Sequence, residues 1–502
     1  MSHTTTHPVD STAPSATATV ADYETVIGLE VHSQLLTQSK MYCSCAADYA
    51  GAEPNTHNCP TCLGLPGALP VMNAQAVELA IRTGLALDCE IPAHNKLDRK
   101  NYVYPDLPKG YQISQYDLPL CLGGTITFDV GGEPVTCGIT RVHVEEDTGR
   151  LVHHDDASGT EASYVDLNRS GVPLMEIVGE PDLRSPEAAG AYLVALRQML
   201  RYIDASTGNM EEGAFRCDAN VSLRVRGAAE YGAKVEIKNM NSFRAVERAL
   251  RFEVERQRAE LEAGNVIPQE TRGWVEARSV TVGQRTKEQA NDYRYFPEPD
   301  LPPLEIGAET VDRIRGELPE LPPARRSRFR DQFGIKPSDA ELLTGEREVA
   351  DLYEAVIEGG GPDRPQSAAN WIVNDVMGLQ SAAGLPANRL PLTVAQLRDL
   401  LDAIDAGKLT PRAAKDVLPQ LADDELPTAA AERLDLLSMD DGDEVDRAVQ
   451  DAIAGNPGVV ADYQAGKKAA FGRLIGETMK RTGGRARPED VRERLTAVLD
   501  GQ

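Results

Sequence analysis

The length, composition and charge of this chain indicate a modular globular protein and exclude several classes. Its 502 residues are too many for one hydrophobic core, because single cores stop growing at about 250 to 300 residues. Hydrophobic residues make up 41% of the chain and charged residues 26%, a balance that allows a globular protein to fold without disulfide bonds. The formal net charge of −26 argues against general adhesion to nucleic acid, so any RNA must meet local basic patches.

The first residues indicate neither export nor membrane insertion. Residues 1–20 are rich in Ser, Thr, Ala and Pro, and we expect a disordered tail because they can bury little apolar surface. They lack the basic and then apolar pattern of a signal peptide, and no stretch of the chain approaches the roughly 20 apolar residues of a membrane span. We therefore expect a cytoplasmic protein without a membrane partner.

The first strand-like run lies at residues 25–32. Its odd-numbered positions are apolar or Thr and fall on one face of an extended chain, whereas Glu30 and His32 share the other face. The run predicts either two metal or substrate ligands about 7 Å apart at Cα, or a strand face that meets solvent.

Four cysteines follow at a spacing typical of structural zinc sites. Cys43 and Cys45 are separated from Cys59 and Cys62 by 13 residues, and paired thiolates at such spacing close a tetrahedron around Zn²⁺. Four ligands leave no open coordination position, so this metal would be structural. Two disulfides or four unrelated buried thiols are the alternatives, and His57 lies near enough in sequence to replace a thiolate.

The run at residues 138–147 also alternates and ends in consecutive carboxylates. Arg141, His143 and Glu145 lie on one face of the predicted strand, and Glu146 lies on the other. Carboxylates at a strand end supply the hard oxygen ligands that Mg²⁺ takes together with water and phosphate. Acidic turns are also common at protein surfaces, so the run allows both a metal site and a solvated turn.

The run at residues 211–224 carries the most distinctive polar face. Its odd positions from 215 to 223 are apolar or small and predict a core face. The opposite face mixes side chains that bind phosphate, metal and ribose: Arg216, Asp218, Asn220, Ser222 and Arg224. A face that only meets solvent tends toward Lys, Glu and Thr, so this composition favours a binding site over a solvated surface.

A fourth run, at residues 234–239, places Lys234, Glu236 and Lys238 on one face. The lysines either hold phosphate charge or protect an edge strand. Several strands with such faces predict one large antiparallel sheet whose polar side is a pocket.

The apolar pattern then changes, which predicts an α+β fold built from separate domains. Residues 21–304 form the mixed domain, with helices expected at 74–87, 186–204 and 241–263. After a proline-rich seam at residues 296–303, apolar residues recur at helical spacing, as in residues 339–357. We expect an all-helical domain over residues 305–424 and a small helical domain over residues 425–502.

The chain lacks the sequence devices by which many proteins bind nucleotides. It contains no Gly-x-x-x-x-Gly-Lys-Ser/Thr loop and no Gly-x-Gly-x-x-Gly after a strand, so any nucleotide is bound by other means. It also has no Ser- and Gly-rich hydrolase stretch and no N-terminal cysteine nucleophile.

Six motifs together resemble the B subunit of the tRNA-dependent amidotransferases. They lie at residues 24–32, 98–106, 111–115, 165–169, 216–220 and 292–299. No single motif is decisive, but their order and number argue against coincidence. The similarity covers essentially everything after the tail.

The resemblance implies a cradle-shaped catalytic domain, followed by a helical domain and a terminal helical tail domain that hold tRNA. The implied reaction transfers the γ-phosphoryl group of ATP to the side-chain carboxylate of misacylated Glu-tRNA(Gln) or Asp-tRNA(Asn), after which ammonia displaces the phosphate. An A subunit would release the ammonia from glutamine, and a C subunit would complete the heterotrimer. Mg²⁺ and cationic side chains would offset the negative charges, and the cysteines resemble a zinc knuckle found in some members.

Matching the motifs residue by residue implies the metal and ammonia site. Its implied members are Glu30, His32, Glu145, Glu146, Glu211, Asp218 and, less directly, Glu212. The expected Mg²⁺ ligands among them are Glu30, His32, Glu145 and Glu211. Charge and position within the motifs give the candidates for phosphate contact: Arg99, Lys100, Arg169, Arg216 and Lys238, with Arg294 as an additional choice.

The end of the chain carries opposite charges in neighbouring segments. Residues 423–446 hold ten acidic side chains and one arginine, whereas residues 466–487 hold seven lysines or arginines and one glutamate. An apolar stripe at helical spacing would pack inward: Tyr463, Phe471, Leu474, Ile475 and Met479. Four cations would then face outward as a tRNA-binding surface: Lys467, Lys468, Arg473 and Lys480. The alternative is a basic helix end that complements the helix dipole.

Two other functions stay open at this point. One is a noncatalytic subunit that binds tRNA or assists assembly. If this alternative holds, replacing the acidic residues should not reduce ATP cleavage by the complex. The other is a metal-dependent hydrolase acting on RNA, which should work alone and without ATP. Which misacylated tRNA is used depends on the tRNAs that the cell makes.

Overall fold

The computed structural model describes residues 23–155, 161–286, 293–438 and 442–501. The predicted tail at residues 1–20 lies outside the described residues, as do Asp292 of the last motif and residues 439–441 of the acidic segment. The chain forms two compact units, of which the first ends at Leu321 and the second begins at Pro322. Among the described residues, no helix combines the length and apolar content needed to cross a lipid bilayer.

The first unit mixes strands and helices. Its strands are β1 Tyr23–Gln34, β2 His94–Asn95, β3 Asp98–Asn101, β4 Tyr111–Ser114, β5 Cys121–Leu122, β6 Thr125–Val130, β7 Glu133–Glu146, β8 Arg150–Asp155, β9 Glu161–Asp166, β10 Pro173–Gly179, β11 Phe215–Val225, β12 Val235–Lys238, β13 Glu270–Val275, β14 Val280–Thr286, β15 Phe296–Pro297 and β16 Leu304–Glu305. Its α-helices are α1 Ala74–Ala86, α2 Pro186–Tyr202, α3 Phe243–Glu262 and α4 Ala308–Gly316, with a 3₁₀ turn at Glu276–Arg278. The three helices predicted in this part of the chain are confirmed with small shifts at their ends.

The main sheet is large and mixed. Its strands follow the order β14-β13-β12-β11-β1-β10-β7-β5, and β6 pairs with β7. The sequence predicted a large antiparallel sheet, and the observed sheet differs from that prediction at one pair, because β12 and β13 run parallel. The chain between them passes through α3, and such a helical crossover returns the next strand in the same direction. The α+β fold class is confirmed.

One face of this sheet is apolar and covered by helices. Ile27 and Leu29 of β1 are at most 1% exposed, as are Ala219 and Val221 of β11. Helix α2 packs on β6 and on α3, while α3 packs on β11 and β14. Both helices begin at a serine whose side chain accepts a backbone N–H of the first turn. The covered face leaves the polar face of the same strands free to line a pocket.

The proline-rich seam belongs to the first unit. Strand β15 pairs with β3, β16 pairs with β2, and α4 packs against α1. Pro297 fits in the two-residue strand β15 because this strand lies at the edge of its sheet, where no complete ladder of N–H donors is needed. The compact unit therefore continues to Leu321, past the boundary expected at residue 304.

The second unit is helical throughout its described residues. Its α-helices are α5 Pro322–Phe333, α6 Pro337–Leu343, α7 Arg347–Ile357, α8 Arg364–Trp371, α9 Met377–Ala382, α10 Val394–Asp405, α11 Pro411–Val417, α12 Pro427–Arg433, α13 Gly442–Gly455, α14 Pro457–Gln464, α15 Lys468–Arg481 and α16 Pro488–Leu499. A π-helical turn at Ile372–Val376 joins α8 to α9, and a 3₁₀ turn at Leu418–Gln420 follows α11. The single helix suggested by residues 339–357 is interrupted where the Thr344 hydroxyl donates to the Ala340 carbonyl at 2.7 Å and Gly345 follows.

Two apolar cores lie within the second unit. The larger one draws on α5 to α12 and includes the fully buried Ala430 and Ala431. The smaller one begins with Val445 of α13 and includes Leu474 of α15 and Leu495 of α16. Helix α12 therefore packs with the larger core, whereas the sequence pattern suggested that the terminal domain begins at residue 425.

Candidate active site on the polar face of the sheet

A cavity of about 510 Å³ lies on the polar face of the main sheet. Five adjacent strands contribute charged side chains or histidines to its lining: Glu30 and His32 of β1, Glu236 and Lys238 of β12, Arg141, His143 and Glu145 of β7, Glu176 of β10, and Arg216 and Asp218 of β11. The register explains this convergence, because Glu30 lies opposite Asp218, and His32 lies opposite Arg216 on one side and Glu176 on the other. The polar residues that alternate with apolar ones along these strands thus line a single cavity.

Three side chains in this cavity form a candidate metal site. The His32 Nε2 atom lies 3.5 Å from a Glu145 carboxylate oxygen and 3.3 Å from one of Glu176. The ligand atoms of all three residues lie within 4.8 Å of one another. Ser114 donates a hydrogen bond of 3.2 Å to the second oxygen of Glu145, which orients that carboxylate. Two carboxylates and an imidazole can hold a divalent cation while leaving positions for phosphate oxygens and water.

The two histidines beside Glu176 differ in their pKa. Burial alone would lower the pKa of His32, but Glu176, Glu145 and Asp218 outweigh it and raise the pKa to about 9. His143 lies 3.4 Å from Glu176, but its burial outweighs the effect of Glu176 and Glu145 and lowers its pKa. The carboxylates around His32 therefore favour its protonated form, whereas holding a metal ion would require the neutral imidazole.

Cationic side chains surround the same carboxylates. An Arg216 Nη2 donates to Asp147 at 2.7 Å, Lys238 pairs with Asp218, and Arg141 lies 3.9 Å from Glu176. Burial alone would lower the pKa of Lys100, but Glu145, Tyr295 and Glu176 outweigh it and raise the pKa. The cavity therefore holds permanent positive charge beside its carboxylates, as a site for phosphate groups requires.

Glu30 and Asp218 lie next to the three candidate ligands. The side-chain amide of Asn220 donates to a Glu30 carboxylate oxygen at 2.9 Å, which fixes that carboxylate on β1. Among the described residues, the closest ligand set joins His32 and Glu145 to Glu176 and leaves out Glu30. Glu30 and Asp218 therefore belong to the cavity as carboxylates beside the metal position.

Two of the predicted site residues line a different cavity. The Glu146 carboxylate pairs with Lys109 and accepts the Ile113 N–H at 3.0 Å. Arg99 forms two parallel hydrogen bonds with Glu298, at 2.7 and 2.8 Å. Both Glu146 and Arg99 line a cavity of about 440 Å³ beside the cysteine cluster. Alternation along β7 explains the separation, because Glu145 and Glu146 point to opposite faces.

The remaining predicted residues also lie away from the candidate metal site. Arg169 donates to the Thr148 and Gly149 carbonyl oxygens at 3.0 and 2.6 Å, which holds the turn after β7. Glu211 and Glu212 are exposed in the turn before β11, where their backbone N–H groups donate to the Asn209 side chain. Arg294 is exposed and lines a neighbouring cavity. Within the described part of the chain, Glu211 does not join the ligand set of the candidate metal site.

Sequence reasoning missed Glu176, which joins the candidate metal site. Its strand, β10, is otherwise apolar or small, and the Glu176 carboxylate is buried among its neighbours. A single carboxylate within an apolar strand was the available signal, because burying an unpaired charge is costly unless a partner or metal compensates it. Two further cavity residues, Tyr293 and Tyr295, lie within the last of the six motifs but carried no predicted role.

The four clustered cysteines form a second candidate metal site. The Sγ atoms of Cys43, Cys45, Cys59 and Cys62 all lie within 4.8 Å of one another, and none of the described cysteines forms a disulfide. A tetrahedral zinc with Zn–S bonds of about 2.3 Å separates its sulfurs by about 3.8 Å, so the residues fit that metal. A hydrogen bond from the Cys43 thiol, opposed by burial, lowers the pKa of Cys62 to about 5. His57 does not belong to this ligand set.

The cations predicted to bind tRNA are exposed around α15. Lys467 pairs with Asp462 at 2.9 Å, and Lys468, Arg473 and Lys480 are exposed as expected. On the opposite side of the helix Leu474 is fully buried, as the apolar stripe predicts. The geometry therefore presents a basic surface in a chain that is otherwise strongly acidic.

Comparisons with known proteins agree with this geometry. Residues 25–312 match the family model described as the GatB/GatE catalytic domain, and residues 351–499 match the GatB domain. A protein of Thermomicrobium roseum, named as the B subunit of aspartyl/glutamyl-tRNA(Asn/Gln) amidotransferase, is 52% identical over 481 residues, which cover 95% of this chain and 99% of that protein. Proteins with the same name from Moorella thermoacetica and Carboxydothermus hydrogenoformans are 51% and 48% identical, each over 95% of this chain and at least 99% of their own lengths. The chain belongs to the B-subunit family of the aspartyl/glutamyl-tRNA(Asn/Gln) amidotransferases.

Proposed function

We propose that this chain activates a misacylated tRNA with ATP and then amidates it. Its substrate would be Glu-tRNA(Gln), Asp-tRNA(Asn) or both, and its product the corresponding Gln-tRNA(Gln) or Asn-tRNA(Asn). The observation that carries the proposal is the set of His32, Glu145 and Glu176 within one cavity that also holds several cations. Family membership supports the same conclusion.

The cavity is suited to the main electrostatic difficulty of this reaction. The substrate carboxylate and the ATP γ-phosphate are both anionic and repel each other as they approach. Lys100, Lys238, Arg216 and Arg141 line the cavity and can hold the phosphate oxygens. Mg²⁺ bound by His32, Glu145 and Glu176 would neutralise the phosphate charge further and polarise the γ-phosphorus.

The proposed chemistry has two steps. In the first, a substrate carboxylate oxygen attacks the γ-phosphorus, the bond to the β–γ bridging oxygen breaks, and ADP leaves. In the second, ammonia attacks the acyl carbon, the bond to the phosphate oxygen breaks, and inorganic phosphate leaves. The attacking ammonia must lose a proton, and the carboxylates of Glu30 and Asp218, which line the cavity, are the groups that can accept it.

Further parts of the proposal concern a second metal and the partners. Zn²⁺ held by the four cysteines would stabilise the loop that carries them and take no part in the chemistry. Partner A and C subunits would complete the enzyme, with the A subunit releasing ammonia from glutamine. The exposed cations of α15 would bind the tRNA backbone, and the reaction would take place in the cytoplasm, where tRNAs are used.

The test replaces Glu145 in the complete amidotransferase complex. Glu145→Gln keeps the shape of the side chain but removes a charged ligand, so tRNA-dependent ATP cleavage should fall by about 10²-fold or more. The matched control is Glu133→Gln, at the exposed start of the same strand, which should keep wild-type turnover. Unchanged ATP cleavage in Glu145→Gln would favour the noncatalytic tRNA-binding role. Cleavage of RNA by the chain alone, without ATP, would favour the hydrolase.

A further inference from the structure

The loop between the two cysteine pairs is held by polar contacts rather than by an apolar core. Residues 47–58, all of which the structure describes, form neither helix nor strand, and none of them is buried. Such a loop buries too little apolar surface to offset the entropy lost when its backbone is ordered. Its conformation therefore depends on the cysteines at its two ends and on the hydrogen bonds made between them.

Some of these hydrogen bonds lead to Asn168, in the segment that joins β9 to β10. Asn168 is 1% exposed, and both ends of its side-chain amide contact the loop. Its Oδ1 atom accepts the His57 N–H at 2.8 Å, and its Nδ2 atom donates to the Glu53 carbonyl oxygen at 2.7 Å. A buried amide that lost these partners would be costly, because water could not replace them. Asn168 therefore fixes the middle of the loop at two points.

Asn55 makes a second connection between the same two segments. Its φ is 59°, in the left-handed region that asparagine tolerates better than most residues. Its Nδ2 atom donates to the Val165 carbonyl oxygen at 2.9 Å, and its Oδ1 atom accepts the Leu167 N–H at 2.8 Å. The loop and residues 165–168 are therefore joined into one hydrogen-bonded unit.

The continuation of this segment holds Asp147, which follows β7. The Asp147 N–H donates to the Val172 carbonyl oxygen, and the Gly171 N–H donates to the Asp147 carbonyl oxygen, both at 2.8 Å. The Asp147 carboxylate accepts from Arg216 at 2.7 Å and from the side-chain amide of Gln34 at 2.8 Å. Arg216 lines the candidate active site, so a chain of contacts joins the cysteine loop to that cavity.

We infer that Asn168 is a positioning residue that couples the cysteine loop to Asp147 and Arg216. With zinc bound, the loop holds Asn168, and Asn168 holds the segment that fixes Asp147 beside Arg216. The coupling is reciprocal, so Asn168 also helps the loop to retain zinc. This inference rests on the structural zinc of the proposed function and gives that metal an influence on the geometry of the active site.

The first test measures amide hydrogen exchange in the complete amidotransferase complex. Loss of the Asn168 contacts in Asn168→Ala should speed exchange about fivefold or more at the N–H groups of Asp147 and Gly171. Asn168→Asp keeps the acceptor for the His57 N–H but loses the donor, so its exchange rates should fall between those of Asn168→Ala and the wild type. Asn265→Ala, at an exposed position of the same unit, is the matched control and should match the wild type.

Removal of zinc with a chelator tests the coupling directly. In the wild type it should speed exchange at Asp147 and Gly171 as much as Asn168→Ala does, whereas in Asn168→Ala it should add little, because the connection is already lost. Zinc should also dissociate from Asn168→Ala about fivefold faster or more than from Asn265→Ala.

Enzyme kinetics distinguish positioning from a general loss of stability. Because Arg216 would hold phosphate oxygens, Asn168→Ala should raise the KM for ATP about fivefold or more, with kcat at saturating ATP within about twofold. A variant that is only less stable would lose active enzyme and lower kcat without raising the KM. That second pattern would overturn the positioning role.

Two further outcomes would overturn the inference. One is unchanged exchange at Asp147 and Gly171 in both Asn168 variants, and the other is additive effects of Asn168→Ala and zinc removal. If the purified complex contains no zinc, the proposed metal is wrong, and exchange in the Asn168 variants still decides whether the loop is coupled to Asp147. The proposed function fails separately, if Glu145→Gln retains ATP cleavage.

Discussion

The buried Lys40 shows how a single residue can depend on the cysteine cluster beside it. Its side chain is 1% exposed, and its Nζ donates to the His57 carbonyl at 2.7 Å and lies 3.9 Å from the Cys62 sulfur. Four thiolates around Zn²⁺ leave an excess of negative charge, which a nearby ammonium group offsets. Lys40 and the cysteine cluster therefore compensate each other electrostatically.

Replacing Lys40 by Met should weaken zinc binding while leaving the volume of the side chain nearly unchanged. We expect zinc to dissociate about tenfold faster or more into a colorimetric chelator, in line with the effect of losing a supporting contact around a metal site. Lys336→Met, at an exposed lysine, is the matched control. Equal release rates in the two variants would mean that Lys40 does not support the site.

At the residue scale, the sequence predicted the faces of side chains better than their partners. Alternation correctly placed Glu30, His32 and Glu145 on a polar face. It could not pair Glu145 with Glu176, because that contact joins β7 to β10 and depends on strand order, which periodicity does not contain. Glu211 was carried over from the family motif and lies in an exposed turn, so its metal role stays a prediction without geometric support.

At the scale of helices, an ion cluster ties α5 to α7. Arg325 is 5% exposed and pairs with Glu354 and with Asp351, and Arg328 also pairs with Glu354. Burial alone would raise the pKa of Glu354, but hydrogen bonds from Arg328 and Arg325 outweigh it and lower the pKa. The cluster therefore stabilises the folded state only while Glu354 is ionised.

The lowered pKa of Glu354 predicts a pH-dependent stability. A carboxyl group with a lowered folded pKa contributes stability above its unfolded pKa of about 4.3 and loses it as the pH falls through the folded value. Glu354→Gln should therefore lower the Tm at pH 7 by about 2 to 4 °C, the shift expected for a loss of about 1 kcal/mol. Calorimetry at pH 7 and at about pH 3 should show this difference shrinking at the lower pH, because the loss occurs below the unfolded pKa. The same difference at both pH values, or an equal loss in the exposed control Glu341→Gln, would contradict the explanation.

Helices and strands were predictable to different degrees. The serine caps and helical periodicity marked α2 and α3 from the sequence. The parallel pairing of β12 with β13 was not predictable from alternation, which is the same in parallel and antiparallel strands. The proline seam suggested a domain boundary, but its prolines instead sit beside two short edge strands of the first unit.

At the scale of the whole molecule, exposed positive charge is concentrated around one helix near the end of an acidic chain. The formal net charge is −26, yet the exposed surface around α15 carries Lys467, Lys468, Arg473 and Lys480. A strongly acidic protein repels RNA over most of its surface, so a local basic surface determines where an RNA can approach. Residue spacing predicted that these cations are exposed, which the structure confirms, and their role in RNA binding stays a prediction.

Reversing two of these charges should weaken tRNA binding without changing the chemistry. We expect Arg473→Glu with Lys480→Glu to raise the KM for misacylated tRNA about fivefold or more and to make binding less salt-dependent. The KM for ATP should not change. Arg447→Glu, at an exposed position on α13, controls for net charge. If the control and the double variant raise the KM for tRNA equally, the basic surface is not the docking site.

Two neighbouring carboxylates of strand β7 face two different cavities. This arrangement limits which insertions and deletions the gene can tolerate. Glu145 faces the candidate metal site, while Glu146 faces Lys109 in the cavity beside the cysteines. A slip of one residue in the pairing of this strand would exchange the two faces and leave both carboxylates in the wrong cavity. Insertions or deletions of a single codon between residues 139 and 146 should therefore inactivate the protein even where they leave it folded.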